Sequence, residues 1–347
     1  MTFPLTILHW FHENGRELPW RQLRDPYAIW LSEVILQQTR IEQGRPYWER
    51  FIRHWPTVND LASASEDEVL REWQGLGYYS RARNLHAAAK QIVARGGFPD
   101  TIEGLRSLKG VGDYTAAAIG SFAFGLPAAV VDGNVYRVLA RHFGISTPIN
   151  TTEGKKEFAL LAQELFPSLD EAADAGACYN QGLMDFGATL CTPQSPQCHQ
   201  CPLQETCVAF REGRVEQLPV KQRTLKVKER RLTYIYIRCN GYTAIHRRPA
   251  GDIWQGLYEP LLMDNGQLTI DEWAAQNNCQ LSIANCRLLA KHVKHVLTHR
   301  VLYADFWLWE PDERPGLPDD YFWIREADIV DYGVPRLIEI LLEKLRS

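Results

Sequence analysis

The chain has 347 residues, 45% of them hydrophobic, and a formal net charge of −4 at pH 7. This length suits two domains with cores of their own, and the negative charge means that any nucleic-acid surface must rest on local basic patches. No stretch has the length of a membrane span, and the N-terminus lacks the basic and apolar regions of a signal peptide, so we expect a soluble, non-exported protein.

Apolar periodicity predicts that the chain is all-α as far as its cysteine-rich segment. Helices are predicted over residues 3–13, 27–41, 45–54, 66–73, 80–95, 102–108, 113–124, 134–143, 153–165 and 170–189. One start is marked by Asp25-Pro26, with aspartate as the N-cap and proline at the first helical position. No strand is predicted before residue 230.

The pattern changes after the cysteines. Residues 221–231 carry six basic residues and are interpreted as a solvated linker, with a DNA-backbone contact left open. Strand-like runs at 232–237 and 242–246, joined by Asn240-Gly241, predict a hairpin. A strand at 301–309 and a closing helix at 335–345 complete a predicted α+β part.

Residues 105–141 contain a helix, a tight turn and a second helix. In the turn, Gly110 and Gly112 can take positive φ and let the backbone approach a partner. A Gly-x-Gly turn that feeds a helix N-terminus directs N–H groups toward one point, which suits a phosphate. An ordinary helical hairpin is the alternative. Asp132 follows a buried-looking run and is predicted to be a helix N-cap.

Two carboxylates occupy contrasting positions. Glu33 lies in the middle of an apolar helix, where it should either pair with an arginine or stay protonated and serve as a proton donor. Asp132, at its N-cap, should be kept ionised by backbone N–H groups and the helix dipole. An acid and an anion of this kind form the pair used by glycoside hydrolases.

Four cysteines form the pattern C-x6-C-x2-C-x5-C: Cys191, Cys198, Cys201 and Cys207. Their crowding predicts a metal site in a reducing compartment rather than a disulfide framework. Zinc is the alternative, but zinc sites of this class usually show two matched Cys-x-x-Cys pairs. The uneven spacing in a helical domain fits a [4Fe–4S] cluster better.

Residues 75–84 combine a glycine turn with Tyr78, Tyr79, Arg81 and Arg83. Aromatic side chains can wedge between bases, and arginines can hold phosphates. A helix start with core tyrosines is the alternative.

The 105–141 stretch resembles the helix-hairpin-helix motif and catalytic aspartate of the base-excision DNA glycosylases. Residues 32–39 are similar to the signature of the MutY adenine DNA glycosylase family, and the cysteine spacing is that of endonuclease III and MutY. The resemblance implies that Glu33 is the general acid and that Asp132 stabilises the sugar cation, with support from Tyr114 and Asn134. It also implies a [4Fe–4S] cluster on the four cysteines.

Strand-cutting relatives carry a lysine where this chain has Tyr114, and a phenol cannot form a Schiff base. We therefore expect base removal without strand cleavage. The alternatives are an endonuclease III-like glycosylase and lyase acting on damaged pyrimidines, and a non-catalytic iron–sulfur lesion-binding protein.

The C-terminal part resembles the MutT-like (Nudix-fold) domain of MutY proteins at residues 247–249 and 253–259, but the acidic metal-binding box is absent, so no pyrophosphatase activity is expected. The family's Phe-Ser-His loop, which reads 8-oxoguanine, corresponds to Leu297-Thr298-His299, where the hydroxyl is kept and the aromatic ring is lost. By resemblance, Tyr78 and Gln38 are wedges. The expected DNA-binding residues are Gln37, Gln38, Thr39, Tyr78, Arg81, Gly110, Gly112, Leu297, Thr298 and His299.

The expected architecture is an all-α helix-hairpin-helix glycosylase domain over residues 1–215, with its iron–sulfur loop at 191–207. A basic linker (216–231) and a smaller α+β Nudix-like domain (232–347) follow. The expected substrate is duplex DNA with adenine opposite 8-oxoguanine or guanine, cut at the N-glycosidic bond. A monomer in the cytoplasm, associated with the nucleoid, is expected if the source is bacterial.

Overall fold

The computed structural model describes residues 2–167, 174–222, 227–264, 270–276, 281 and 283–346. It divides into two compact units, one made of Met1–Ala62 with Ala87–Arg223 and the other of Ser63–His86 with Thr224–Ser347. The units differ from the sequence-based domains in two respects. Residues 63–86 of the helical half group with the C-terminal part, and the predicted linker over 216–231 is divided between the two units after Arg223. Among the described helices, none is both long enough and apolar enough to cross a membrane.

Among the described residues up to 211, the regular elements are α-helices and a few short 3-10 helices. The α-helices are α1 (Phe3–Asn14), α2 (Pro26–Ile35), α3 (Ile41–His54), α4 (Val58–Ser63), α5 (Glu66–Glu72), α6 (Ser80–Ala94), α7 (Ile102–Arg106), α8 (Asp113–Phe124), α9 (Gly133–Phe143), α10 (Thr152–Glu164), α11 (Ala175–Thr189) and α12 (Val208–Arg211). The sequence predicts ten of these helices in this order but neither α4 nor α12, and part of the helix predicted over 170–189 lies outside the described residues.

Helix α2 carries the first candidate site residue. Asp25 caps it by accepting from the N–H groups of Tyr27 (3.1 Å) and Ala28 (3.3 Å), as the sequence predicts. The prediction that this helix reaches residue 41 is wrong, because α2 ends at Ile35 and the chain turns through Gln38, whose φ is 55°. Helix α2 packs against α3 and α8, so its residues from Tyr27 to Ile35 are all buried.

In addition to α5 and the first part of α6, the second unit has, among the described residues from 227 onward, seven strands and two α-helices. They are β1 (Lys228–Ile237), β2 (Tyr242–Arg247), β3 (Tyr258–Glu259), β4 (Leu261–Asp264), α13 (Ile270–Gln276), β5 (Cys286–Val296), β6 (Arg300–Trp309), β7 (Tyr321–Arg325) and α14 (Arg336–Arg346). The larger sheet has the order β4-β1-β6-β5 and the smaller one β3-β2-β7. Strand β1 is parallel to β6, and the other pairs are antiparallel.

Two predictions for this region are corrected. The predicted Asn240-Gly241 turn forms, with φ of 50° and 79° and two backbone hydrogen bonds of 2.9 Å between Cys239 and Tyr242, but β1 and β2 do not continue it as a paired ladder, because they belong to different sheets. The predicted linker is too long, because residues 228–231 pair with β6 as the start of β1. Exposed charged side chains are compatible with a strand whose backbone is paired, and this hid the strand in the sequence.

Residues 63–86 join the second unit through specific contacts. The Arg247 guanidinium lies 2.8 Å from a carboxylate oxygen of Glu66 and 2.9 Å from one of Asp67. The Tyr258 hydroxyl donates to the other oxygen of Asp67 at 2.9 Å. Helix α5 begins with a capping box in which Ser65 and Glu68 bond reciprocally, which fixes where these acidic side chains stand.

Candidate active site

Glu33 stands on the buried side of α2 with only 8% of its surface exposed. The Tyr114 hydroxyl, on α8, donates to its Oε2 at 2.5 Å. Burial raises the pKa of Glu33 to about 7, while the Tyr114 hydrogen bond works in the opposite direction. A carboxylic acid with this pKa is half protonated at neutral pH, and it can therefore donate a proton there.

Tyr114 keeps its own proton. Burial, together with the nearby Glu33 and Asp132 carboxyls, raises the pKa of Tyr114 well above its ordinary value. The phenol therefore acts as a hydrogen-bond donor to Glu33 throughout the neutral range.

Asp132 is the N-cap of α9, which confirms its predicted position. Its Oδ1 accepts from the N–H groups of Asn134 and Val135, both at 2.8 Å, and its Oδ2 accepts from the Asn134 side-chain amide at 2.8 Å. The prediction that backbone N–H groups keep Asp132 ionised meets an opposing effect, because burial raises the pKa of Asp132 and outweighs the hydrogen bonds from Val135 and Asn134. The three donors favour the anion all the same, and they fix its orientation.

The two carboxyls open onto one cavity of about 860 Å³. Its lining also includes Tyr114, Asn134 and the turn after α2, where Gln37, Gln38 and Thr39 lie. The Gln37 amide donates to the Thr115 hydroxyl at 3.2 Å, which ties this turn to α8. Glu33 is therefore not the arginine-paired core glutamate that the sequence left open, since its one hydrogen-bond donor among the described residues is Tyr114.

An ion cluster at the edge of the cavity was not found from the sequence. Asp185, fully buried on α11, accepts from both Arg16 and Arg21, with Arg21 contacts of 2.7 Å to each oxygen. Burial raises the pKa of Asp185, but the hydrogen bonds from Arg21 and Arg16 more than offset it, so its pKa lies below the ordinary value. The partners lie about half the chain apart, and no local pattern marks them.

Asn134 links the cavity to the cysteine loop through Arg137, which sequence reasoning also missed. The Arg137 guanidinium donates to Asn134 Oδ1 at 2.7 Å and, through Nε, to the carbonyl of Cys191 at 2.7 Å. Arg137 is only 7% exposed, so a single buried side chain connects the Asp132 cap with the first cysteine.

The four cysteines surround a small cavity of about 30 Å³, which they line together with Arg141. In the described part of the chain, no three His, Cys, Asp or Glu side chains are arranged to hold a single metal ion. The Arg141 guanidinium, only 2% exposed, lies 3.4 Å from Cys191 Sγ and places a buried positive charge beside the cysteines. Both observations fit a [4Fe–4S] cluster.

The hairpin turn between α7 and α8 has the predicted form with one exception. Gly110 adopts a φ of 76°, whereas Gly112 has a φ of −95° and is extended, so only the first of them needs glycine for its dihedral angle. A Cβ at Gly112 would meet no atom within 4 Å, so the space beside this N-cap of α8 is open.

The remaining predicted DNA-binding residues lie in the second unit. Tyr78, with a φ of 47° and 47% of its surface exposed, forms a hydroxyl–hydroxyl hydrogen bond with Thr298. Leu297, Thr298 and His299 form the turn between β5 and β6. Arg81 differs from expectation, because its guanidinium lies over the rings of Trp73 (5.1 Å) and Tyr78 (5.6 Å), and burial lowers its pKa to about 10.

Comparison with known proteins agrees with this arrangement. Residues 31–167 match the model of the HhH-GPD superfamily base excision DNA repair proteins, residues 191–207 match the iron-sulfur binding domain of endonuclease III, and residues 233–344 match the NUDIX domain. The adenine DNA glycosylase of Buchnera aphidicola subsp. Baizongia pistaciae is 32% identical over 315 residues, which cover 89% of this chain and 86% of the relative.

Two further comparisons each cover about three fifths of the chain. The adenine DNA glycosylase of Homo sapiens is 44% identical over 224 residues, which cover 61% of this chain and 40% of that protein. The solved structure of a thermostable thymine-DNA glycosylase is similar with a TM-score of 0.55 and 31% identity, over 60% of this chain and 95% of that one.

Fold and site together define a helix-hairpin-helix base excision DNA repair protein with a [4Fe–4S] cluster and a Nudix-like domain. Within that class, the chain belongs to the adenine DNA glycosylase family. The family, the fold and the cluster predicted from the sequence are thereby confirmed.

Proposed function

We propose that this protein hydrolyses the N-glycosidic bond of adenine mispaired with 8-oxoguanine or guanine in duplex DNA and leaves an abasic site. The observation that carries the proposal is the pairing of a proton-bearing Glu33 with a hydrogen-bonded Asp132 on one cavity. The proposed working form is a monomer, associated with the nucleoid in the cytoplasm if the source is bacterial.

The cavity of about 860 Å³ is large enough for a flipped adenosine. Glu33 donates its proton to a ring nitrogen of adenine, which turns the base into a neutral leaving group. The C1′–N9 bond then breaks, its electron pair stays with adenine, and positive charge develops on the sugar. Asp132 stabilises this cation, water adds to C1′, and the proton that water loses returns to Glu33.

The hydrogen bonds around Asp132 support its assigned role. Two backbone N–H groups and the Asn134 amide hold both of its oxygens, so the carboxylate is preorganised before the sugar becomes charged. Asn134 is itself held by Arg137.

Base removal without strand cleavage is proposed on the cavity's chemistry. Schiff-base formation needs an amine, and no lysine occurs among the described residues that line the cavity. Tyr114 occupies the position expected of the amine in strand-cutting relatives, and its phenol serves Glu33 instead.

Reading of the opposite base is assigned to the turn between β5 and β6. Thr298 and Tyr78 bond to each other through their hydroxyls, so each carries a donor and an acceptor that a lesion could take over. We propose that the Thr298 hydroxyl gives up its hydrogen bond with Tyr78 and forms one with 8-oxoguanine. Tyr78, whose backbone has a left-handed φ, would then insert between the bases beside the lesion.

A glycosylase assay on A:8-oxoguanine and A:G duplexes, with a thymine-glycol duplex as the control, tests the chemistry. We expect adenine release from the first two, strand breaks only after alkali, and no release by Asp132→Asn, which still binds duplex. Strand breaks without alkali, or release of thymine glycol, would favour the endonuclease III-like alternative.

The reader role is tested with Thr298→Ala and its matched control Thr298→Ser. The alanine variant should lose much of the preference for 8-oxoguanine over guanine, while the serine variant, which keeps the hydroxyl, retains it. Equal loss of both activities in the alanine variant would contradict the assignment.

A further inference from the structure

Three residues in register, which are Arg231, Tyr303 and Lys294, form a row across the larger sheet of the second unit, near the Leu297–His299 turn. Arg231 on β1 pairs in register with Tyr303 on β6, which pairs in register with Lys294 on β5. Side chains in register on neighbouring strands stand on the same face, about 4.8 Å apart. The two cations therefore flank a phenol within roughly 10 Å.

This face of the row is open to solvent. Arg231 and Lys294 are exposed and Tyr303 is half-buried, whereas the next residues of β6 on either side of Tyr303, which are Leu302 and Ala304, lie in the core. Within the described part of the chain, neither cation has a carboxylate within ion-pair distance. Both are therefore available to an external anion.

The acidic groups on the same face do not neutralise the row. Asp305 accepts from the backbone N–H of His292 at 2.6 Å and lies 3.1 Å from its ring Nδ1. Glu229 is exposed beside Val301 and Val296, one pair nearer to the turn. The row itself keeps two uncompensated positive charges.

The row is continuous with the Leu297–His299 turn. The Leu297 N–H donates to the Arg300 carbonyl at 2.8 Å, and the Lys228 N–H donates to the His299 carbonyl at 3.1 Å, so the turn is fixed to β6 and β1. Tyr303 lies four residues beyond His299, which is about 13 Å along a strand. In duplex DNA, with a rise of about 3.4 Å per base step, this distance corresponds to roughly four steps.

We propose that Arg231, Tyr303 and Lys294 bind the sugar–phosphate backbone of duplex DNA a few base pairs from the base that the turn contacts. The guanidinium, the phenol and the ammonium group supply three hydrogen-bond donors to phosphate oxygens, and none of them reads a base. The proposal extends the proposed function from the lesion to the flanking duplex.

The salt dependence of DNA binding by the full-length protein tests this proposal. The probes are an undamaged duplex and one with cytosine opposite 8-oxoguanine, neither of which offers a mispaired adenine. The double variant R231A/K294A removes two phosphate contacts, so the slope of log K against log salt should fall by about 1.8. Affinity at 0.1 M salt should fall by up to about sixtyfold, equally on both duplexes. Y303F should weaken binding less and leave the slope unchanged.

Two controls keep the outcome interpretable. Arg287→Ala removes an exposed cation from the far end of β5 and should leave the slope unchanged. R231K/K294R keeps the charges and should retain the wild-type slope. An unchanged slope in R231A/K294A, an equal fall in Arg287→Ala, or a loss confined to the 8-oxoguanine duplex would overturn the proposal. Failure of the lesion-reading role would instead show in the Thr298 variants and would leave these slopes as they are.

Discussion

Two buried glutamates, one in each unit, have opposite surroundings. Glu33 is 8% exposed, borders the cavity and receives one hydrogen bond, from Tyr114. Glu259, on β3, is 1% exposed and is contacted by the Tyr234 hydroxyl (2.8 Å), His246 Nε2 (3.0 Å) and the Arg248 guanidinium (2.6 Å). Burial alone therefore does not determine whether a carboxyl stays protonated at neutral pH. The number of hydrogen-bond donors and counter-ions around the carboxyl also matters.

The difference separates chemistry from structure. Arg248 is itself only 4% exposed and makes its closest contacts with Glu259, so this pair joins β2's end to β3 inside the second unit. Among the described residues, Glu33 forms no ion pair, because the nearby Arg21, whose charge lowers the pKa of Glu33, bonds to Asp185. A carboxyl with few hydrogen-bond donors and no ion pair keeps its proton near neutral pH, whereas a carboxyl with a full set of donors is held as the anion.

The largest expected effect is on catalysis by Glu33→Gln. An amide cannot donate the proton, so the single-turnover rate of adenine release should fall by roughly a thousandfold or more, about 4 kcal/mol in barrier height. Duplex binding, measured by anisotropy, should persist. Glu259→Gln, assayed per folded molecule, serves as the control and should keep most of its activity. A Glu33→Gln rate near that of the wild type would remove Glu33 from the mechanism.

The next largest effect is on the stability of the second unit in Glu259→Gln. Removing one partner of a buried ion pair leaves the other charge uncompensated and costs about 3–5 kcal/mol, and the Asp252 contact of Arg248 at 2.7 Å favours the lower end. Urea denaturation should show it. Glu343→Gln, which breaks the exposed pair with Arg336, should cost less than about 1 kcal/mol. Equal costs for the two variants would mean that burial of the pair is unimportant.

Local sequence patterns predict the catalytic carboxyls and the cysteine loop of the first unit well. The apolar run around Glu33, the N-cap at Asp132 and the cysteine spacing are each contained within a short segment, and α8 was predicted with the bounds it has, 113–124. Helix periodicity and capping act over a few residues, so a single sequence is enough to show them.

The buried ion pairs and the strand pairing depend on residues that lie far apart in the sequence. Arg21 meets Asp185, and Tyr234 meets Glu259, through tertiary contacts that no spacing in the sequence encodes. The predicted pairing of β1 with β2 beyond the Asn240-Gly241 turn is wrong for the same reason. An Asn-Gly turn is a local signal, whereas the pairing that β1 adopts is a parallel ladder with β6, more than sixty residues later.

A third effect concerns the pH dependence of stability at Glu33. The pKa of Glu33 is raised from 4.5 to about 7, so the stability it contributes is present below pH 4.5 and is lost as the pH rises through 7. Glu33→Gln should therefore be more stable than the wild type at pH 8, by about 3 kcal/mol, with the advantage vanishing toward pH 4.5. Urea denaturation at several pH values measures the difference, and Glu259→Gln should show no gain at any of them.

The smallest effect is expected from Tyr114→Phe, which separates burial from hydrogen bonding at Glu33. In the wild type, the rate of adenine release should fall above pH 7 as Glu33 ionises. The Tyr114 hydrogen bond lowers the pKa of Glu33, so its removal should move this alkaline limb to higher pH. At low pH, where Glu33 is already protonated, the variant should lose about tenfold or less, the worth of one hydrogen bond.

The direction of this shift distinguishes two accounts of Tyr114. If the phenol only holds Glu33 in place, Tyr114→Phe lowers the rate without moving the limb. If the phenol itself were the proton donor, the variant would lose activity at every pH, but burial raises the pKa of Tyr114 well above its ordinary value, which makes it a poor acid at neutral pH. An upward shift with a modest loss of rate therefore identifies Glu33 as the proton donor. It also shows that the hydrogen bond from the Tyr114 hydroxyl adjusts the pKa of Glu33.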